Sequence, residues 1–307
     1  MSTKQTTGSA LCRYLNLENV AALSAIGVTP RQVVEGCLSG NHRSPFYGFA
    51  VEFAGHRQYV PGDDIRHLDW KAYYKSGRYL LKQYSTETNF IAHLLIDVSE
   101  SMTFEYEHGR KIDYAAYMAV ALAFVIQEQS DMVSATLFSD RIVDFVRRSN
   151  TEEVVQRISA AVEKATPKDP TSFRTVLNQA AEQMGRRGIV MIFSDVFGDL
   201  EAFYDGLKRL LYANHEVVVF HLMDPVETDF ELAGEIIFDE LEGSEKITIP
   251  AHRYVDAYRE EVKEYLEELQ SETQKMGVEY VRVPLNENFG VTLARYLNER
   301  TSMGARR

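Results

Sequence analysis

The 307-residue sequence predicts an α/β fold built as a three-layer, doubly wound, mainly parallel sheet. Three observations predict it. The runs Phe90–Ile96, Met132–Phe138, Gly188–Phe193 and Glu216–Leu222 are apolar almost throughout, which is the pattern of strands covered on both faces. Helical patterns separate most of them, and strands alternating with helices fold into a parallel sheet between two helical layers. Two of the runs end in acids, Asp97 and Asp195, and ligands of open α/β sheets lie beyond the carboxyl ends of the strands. Right-handed crossovers then give a Rossmann-like layering over residues 88–300.

In chain order, residues 1–9 read as a disordered lead-in and residues 10–87 as an N-terminal helical and extended β segment. Residues 11–39 hold one or two short helical stretches, with Pro30 placed to open the second. Gly40, Pro45 and Gly48 break that pattern. Phe49, Val51 and Phe53 alternate with Ala50 and Glu52, as in a half-buried strand. Pro61-Gly62-Asp63-Asp64 is a turn, and Tyr79–Tyr84 a second strand.

The larger domain opens with the Phe90–Ile96 strand. Helices are expected over Lys111–Gln129, Thr151–Val162 (with Thr151 as cap), Thr171–Met184 and Leu200–Leu211. A short strand, Ile142–Val146, follows the turn Ser139-Asp140-Arg141. Residues 230–249 read as two strands around Glu242-Gly243-Ser244, a hairpin insertion. Arg253–Met276 is a long charged helix, Val278–Val283 the last strand and Phe289–Leu297 the last helix. Residues 301–307 form a tail.

Composition narrows the function. An apolar share of 45% implies a sizeable core. The formal charge of −12 disfavours nucleic-acid phosphates and anionic membrane surfaces. Residues 1–90 carry ten Lys/Arg against seven Asp/Glu, a balance of +3, and residues 91–307 carry 23 against 38, a balance of −15. Two parts with different surfaces are therefore expected. Cys12 and Cys37 have no metal-ligand spacing and read as reduced thiols. The first thirty residues lack a signal-peptide pattern. The longest mainly apolar stretch, Tyr114–Ile126, falls short of the roughly 20 residues a spanning helix needs. The expectation is a soluble, cytoplasmic chain without membrane insertion.

The chemistry concentrates at three strand or loop ends: Asp97 to Ser101, Pro170 to Ser172, and Ser194-Asp195. Asp97, Ser99 and Ser101 have the spacing Asp-x-Ser-x-Ser immediately after a buried strand. One carboxylate and two hydroxyls on a tight loop offer three oxygen ligands to a hard ion such as Mg²⁺ or Mn²⁺. Thr171 is a fourth candidate, with Ser172 or Thr175 as substitutes, and Asp195 a fifth. The competing structural reading is that Asp97 and Ser99 merely cap the following segment.

The order apolar strand, Asp97-x-Ser99-x-Ser101, Thr171, Asp195 resembles the metal-ion-dependent adhesion site of von Willebrand factor A domains. The resemblance implies that Asp97, Ser99 and Ser101 ligate the ion directly, and that Thr171 and Asp195 do so directly or through water. Two departures stand out: Asp169-Pro170 precede Thr171 where the family has glycines, and Val196 follows Asp195 where it often has Gly. A second resemblance covers residues 30–300. Gly36, Arg43-Ser44-Pro45, Gly48 and the run from Arg57 to Trp70 closely resemble the segment that defines the bacterial domain of unknown function family 58. That resemblance implies an adapter or chaperone-like partner of MoxR-type AAA+ ATPases, with no general enzymatic activity. Within the run, Arg57, Asp63, Asp64, Arg66, Asp69 and Trp70 form either a charge network pinning the segment, with Trp70 and Tyr59 as packing anchors, or a docking surface.

Other candidates are weaker. Eight histidines lack zinc-site spacing; His93 reads as an interior residue and His56 and His67 as surface groups. No G-x-x-x-x-G-K-[ST] or G-x-G-x-x-G string occurs. The Glu-rich stretch Asp256–Glu272 reads as a solvated helix face. The leading expectation is a metal-dependent interaction module. The alternative is a Mg²⁺-dependent phosphatase or hydrolase using Asp97, which lacks a second carboxylate at Ser99 and, by sequence, a lysine near these loops.

Overall fold

The computed structural model describes residues 13–15, 51–59, 68–86, 91–128, 130–185, 187–230, 235–239, 246–250, 255–293 and 295–296. The chain divides into two compact units, one of Asn41–Asn89 and a larger one containing Phe90–Arg307.

In the smaller unit, β1 (Val51–Gln58) and β2 (Leu80–Thr86) pair antiparallel, with a bulge between Phe53 and Gly55. Between them lies α1 (Trp70–Ser76), a helix the sequence pattern did not suggest. Asp69 caps it, its carboxylate accepting from the Lys71 and Ala72 backbone N–H groups. Gly77 closes it at φ 66°, a left-handed position that suits glycine. Leu68 and Leu81 are buried and bridge to each other. The expected helices before residue 40 and the turn at Pro61–Asp64 lie outside the described residues, apart from 13–15.

The larger unit holds a six-stranded sheet in the order β12-β9-β8-β3-β6-β7. Its strands are β3 (Ile91–Asp97), β6 (Met132–Phe138), β7 (Ile142–Ser149), β8 (Ile189–Ser194), β9 (Glu216–Met223) and β12 (Glu279–Pro284). All pairings are parallel except β6 with the edge strand β7. The expected three-layer, doubly wound fold is the one observed. β7 runs three residues beyond the expected Val146, its pairing with β6 continuing to Ser149 opposite Val133.

Helices cover both faces. α2 (Lys111–Glu128) and α3 (Glu152–Lys164) pack on one face through Ala115, Ala119, Ala123, Val154 and Ile158. Small residues along α2 let it lie close to the apolar strands. α4 (Phe173–Met184), α5 (Leu200–Tyr212) and α7 (Val255–Met276) cover the other face, where Phe173, Phe203, Leu207 and Leu269 meet Leu95, Val190 and Ile192. Gly206 of α5 lies against Leu177 of α4; a Cβ there would come 2.7 Å from Leu177 Cβ. Thr151 stands at the N-cap of α3 but its hydroxyl accepts no capping bond, whereas the Asp199 carboxylate caps α5 by accepting from the Ala202 N–H.

The insertion is the expected antiparallel hairpin, β10 (Glu235–Asp239) and β11 (Lys246–Pro250), its tip lying outside the described residues. Short α6 (Pro225–Asp229) precedes it. Residues 289–293 are helical, as expected. A second small hairpin, β4 (Glu105–Tyr106) with β5 (Gly109–Arg110), returns the chain from the Asp97 loop to the start of α2. Among the described residues no helix is long and apolar enough to cross a membrane.

Candidate functional site

Strand register assembles the site. Ile96 of β3 lies beside Phe193 of β8, so Asp97 and Ser194 leave the sheet side by side. Asp97 is fully buried. Its Oδ2 accepts a 2.6 Å hydrogen bond from the Ser194 hydroxyl and its Oδ1 accepts from the Ser99 backbone N–H at 2.9 Å. The Thr171 hydroxyl, on the loop before α4, lies 3.4 Å from both oxygens. The Ser99 and Ser101 hydroxyls are 3.1 Å apart, and Ser101 donates to Asp195 Oδ1 at 3.1 Å. The five candidate ligands, Asp97, Ser99, Ser101, Thr171 and Asp195, thus form one connected cradle at the carboxyl ends of β3 and β8. The Ser99 N–H bond also makes Asp97 a local cap of its own loop, so the capping reading and the cradle coexist.

Two carboxylates so close share a cost. Burial pushes the Asp97 carboxyl up to about 7, and the Asp195 charge adds to this; the hydrogen bonds from Ser194 and Ser99 pull the other way. The donors are hard oxygens, and the carboxylates carry charge that a cation would offset, so the residues suit a divalent hard ion. Among the described residues no group of three or more His, Cys, Asp or Glu side chains gathers as a metal cage, so an ion held here would rest on hydroxyls as much as on carboxylates.

The structure corrects one sequence expectation outright. A lysine does sit at these loops. Lys111, the first residue of α2, is only 3% exposed; its Nζ lies 3.0 Å from Asp195 Oδ2 and 2.6 Å from Glu227 Oε1. The β4–β5 hairpin delivers it, folding back so that the Lys111 N–H donates to the Phe104 carbonyl. Its ammonium also lies 5.2 Å from the centre of the Phe104 ring. Burial works against its charge, but the Asp195 and Glu227 carboxylates outweigh burial and hold its pKa above the ordinary lysine value. At Glu227 burial wins over the Lys111 charge, and that pKa is raised. Glu227 belongs to a capping box: its Oε2 accepts from the Asp224 N–H, while Asp224 accepts from Val226 N–H.

The missed lysine left one signal. A cation in the first turn of a helix opposes the helix dipole, which points to a partner elsewhere in the fold. By sequence Ser194 is only the neighbour of Asp195, yet its hydroxyl makes the shortest bond to Asp97. Beyond Asp195, Val196 adopts φ 49°, where L-residues are strained. Its N–H donates to Ser194 Oγ and its carbonyl accepts from Tyr265 of α7 at 2.7 Å. The departure from glycine at this position is therefore met by bonds on both sides of the residue.

The Arg57–Trp70 cluster fares differently. Arg57 is exposed on β1, and Asp69 caps α1. Trp70 is 57% exposed and meets Tyr73 edge-on at 6.3 Å, so it is not the expected packing anchor. The interior position of this segment is taken by Leu68, and Trp70, opening a seven-residue helix, points elsewhere. Tyr59 does pack, tilted against Tyr79 at 6.4 Å. Asp63, Asp64 and Arg66 lie outside the described residues, as does His67. His93 is interior as expected, bonded to Ser134 at 2.7 Å.

Comparison with known proteins agrees with the Arg57–Trp70 motif. The chain is 25% identical over 226 residues to the uncharacterized proteins Rv1480 of Mycobacterium tuberculosis (strain H37Rv) and Mb1516 of Mycobacterium bovis, which covers 72% of this chain and 70% of each of them. Among solved structures it is similar to the conserved hypothetical protein BatB of Bacteroides thetaiotaomicron (TM-score 0.47, 18% identity, 71% of this chain and 100% of that one). It is similar also to an aerotolerance-related membrane protein of Bacteroides fragilis (TM-score 0.47, 16% identity, 70% and 99%) and to the SpRpn10 VWA domain (TM-score 0.39, 12% identity, 68% and 94%). Residues 55–272 match the family described as "Protein of unknown function DUF58", and the chain belongs to that family.

Proposed function

We propose that this chain is a protein-interaction module that docks an acidic side chain of a partner through Mg²⁺ or Mn²⁺, held by Asp97, Ser99, Ser101, Thr171 and Asp195. The observation that carries the reading is the gathering of side-chain oxygens from three separated loops into one hydrogen-bonded cradle. A bound ion there would supply an electrophilic position open to an outside carboxylate. The chain's own residues hold the cradle in shape: Ser194 and the Ser99 N–H fix Asp97, and Lys111 fixes Asp195. Ser101 and Thr171 are half-buried and form its accessible side. A MoxR-type AAA+ ATPase in the cytoplasm is the proposed partner, on the strength of the family resemblance. The hydrolytic alternative gains a lysine from Lys111, but that lysine is already paired twice, and the buried Asp97 carboxylate accepts bonds at both oxygens, which favours a holding role over attack on a substrate.

The test uses the full chain stripped with EDTA. Mg²⁺ or Mn²⁺ is expected to raise its melting temperature and to permit capture of the ATPase, with both effects lost in Asp97→Ala and Ser99→Ala. Capture that persists in EDTA, or the absence of any thermal shift, would refute the reading.

A further inference from the structure

The least expected group in the molecule is the buried ammonium of Lys111. It is desolvated, which costs a charge dearly, and it stands in the first turn of α2, where the helix dipole repels a cation. Both penalties are met by two carboxylates, at 3.0 and 2.6 Å. It touches the Oδ2 of Asp195, while Oδ1 faces Ser101 and the Phe197 N–H. The lysine therefore fixes the rotation of that carboxylate from the side away from the Ser101 hydroxyl. Asp195 and Glu227 pair with this one ammonium, and Asp97, whose carboxyl feels the Asp195 charge, lies beyond them, so the three acids carry a formal excess of two negative charges over the lysine. Glu227 is held by its own capping box, so the lysine is clamped between two fixed acids.

We propose that Lys111 is a positioning residue whose tethered ammonium, balanced by Glu227, sets how tightly the cradle holds a divalent ion, without either side chain ligating it. This rests on the ion-docking reading above. Lys111 keeps the empty cradle folded by offsetting carboxylate repulsion, and the same charge weakens the pull on an incoming cation. Glu227 does the reverse. Two neighbouring residues thus tune affinity in opposite directions, which a purely structural pair would not do.

The experiment titrates MgCl₂ and MnCl₂ into the EDTA-stripped full chain by calorimetry, with melting temperature as a second readout. Lys111→Met, which keeps length and removes charge, is expected to melt lower in EDTA and to bind Mg²⁺ about tenfold tighter than the wild type. Lys111→Arg should stay near the wild type in both readouts. Glu227→Gln should bind about tenfold more weakly. If the wild type binds and Lys111→Met binds equally or less well, this inference is overturned while the docking reading stands. If neither protein binds either ion, both fall. Should Lys111→Met not fold, Glu227→Gln decides: undiminished affinity overturns the inference.

Discussion

Replacing Ser194 with alanine removes a single oxygen from a fully buried position, and the structure says what that oxygen does. Its hydroxyl donates to Asp97 Oδ2 at 2.6 Å and accepts from the Val196 N–H at 3.0 Å. The first is a hydrogen bond to a group that carries charge when ionised, of a kind worth about 1.5–3 kcal/mol. The second, once lost, leaves a buried N–H without that acceptor, a cost of about 1–3 kcal/mol. The two share one atom and do not add in full, so about 3 kcal/mol is expected for Ser194→Ala. Little volume is removed, so cavity formation contributes almost nothing. Urea unfolding in EDTA, with wild type and variant at equal m-value, measures it. A loss below about 0.5 kcal/mol, the range of an ordinary surface substitution, would show that Ser194 does not hold the cradle.

Further outcomes follow from other contacts. Gly206→Ala gains about 0.5–1 kcal/mol of helix propensity, but its new methyl would meet Leu177 Cδ1 at 2.5 Å; overpacking of about 1–3 kcal/mol wins, and a rise in melting temperature would contradict the α4–α5 packing. Asp199→Ala should cost about 1 kcal/mol as a lost N-cap, whereas Thr151→Ala, at a hydroxyl that accepts no capping bond, should stay within about 0.5 kcal/mol; equal losses in paired denaturation curves would refute the distinction. Burial pushes the Glu279 carboxyl up to about 7, against the hydrogen bond it accepts from Tyr296. Because the folded pKa lies above the unfolded one, its stabilising contribution is complete below the ordinary carboxyl range and disappears as pH rises through about 7. The stability of wild type relative to Glu279→Gln should therefore fall between about pH 5 and pH 8, and parallel profiles would disprove it.

Most of the fold could be read from the chain because parallel strands are continuous apolar runs, and β3, β6, β8 and β9 announce themselves that way. Short elements did not. The two-residue strands β4 and β5 and the seven-residue α1 carry too few residues for any period to show. Four of the five cradle residues were marked by strand ends and Asp-x-Ser-x-Ser spacing. Thr171 was marked by its place before a helix, although the helix proper begins at Phe173, with Ser172 at its N-cap. Lys111 was invisible as a member of the site because its partners lie 84 and 116 residues away. Trp70 misled because a large aromatic residue usually seeks the interior, and here a neighbouring leucine had taken it.

A β-branched residue rarely stays in the left-handed region unaided; the conformation costs about 1–3 kcal/mol. Val196 is kept there in part by a phenol reaching across from the long helix that follows the hairpin insertion. The backbone next to Asp195 is therefore a bent segment held at two points, the Ser194 and Tyr265 hydroxyls. Losing the Tyr265 hydroxyl would remove one of the two bonds that offset this cost, so the long helix shares in the upkeep of the turn beside Asp195.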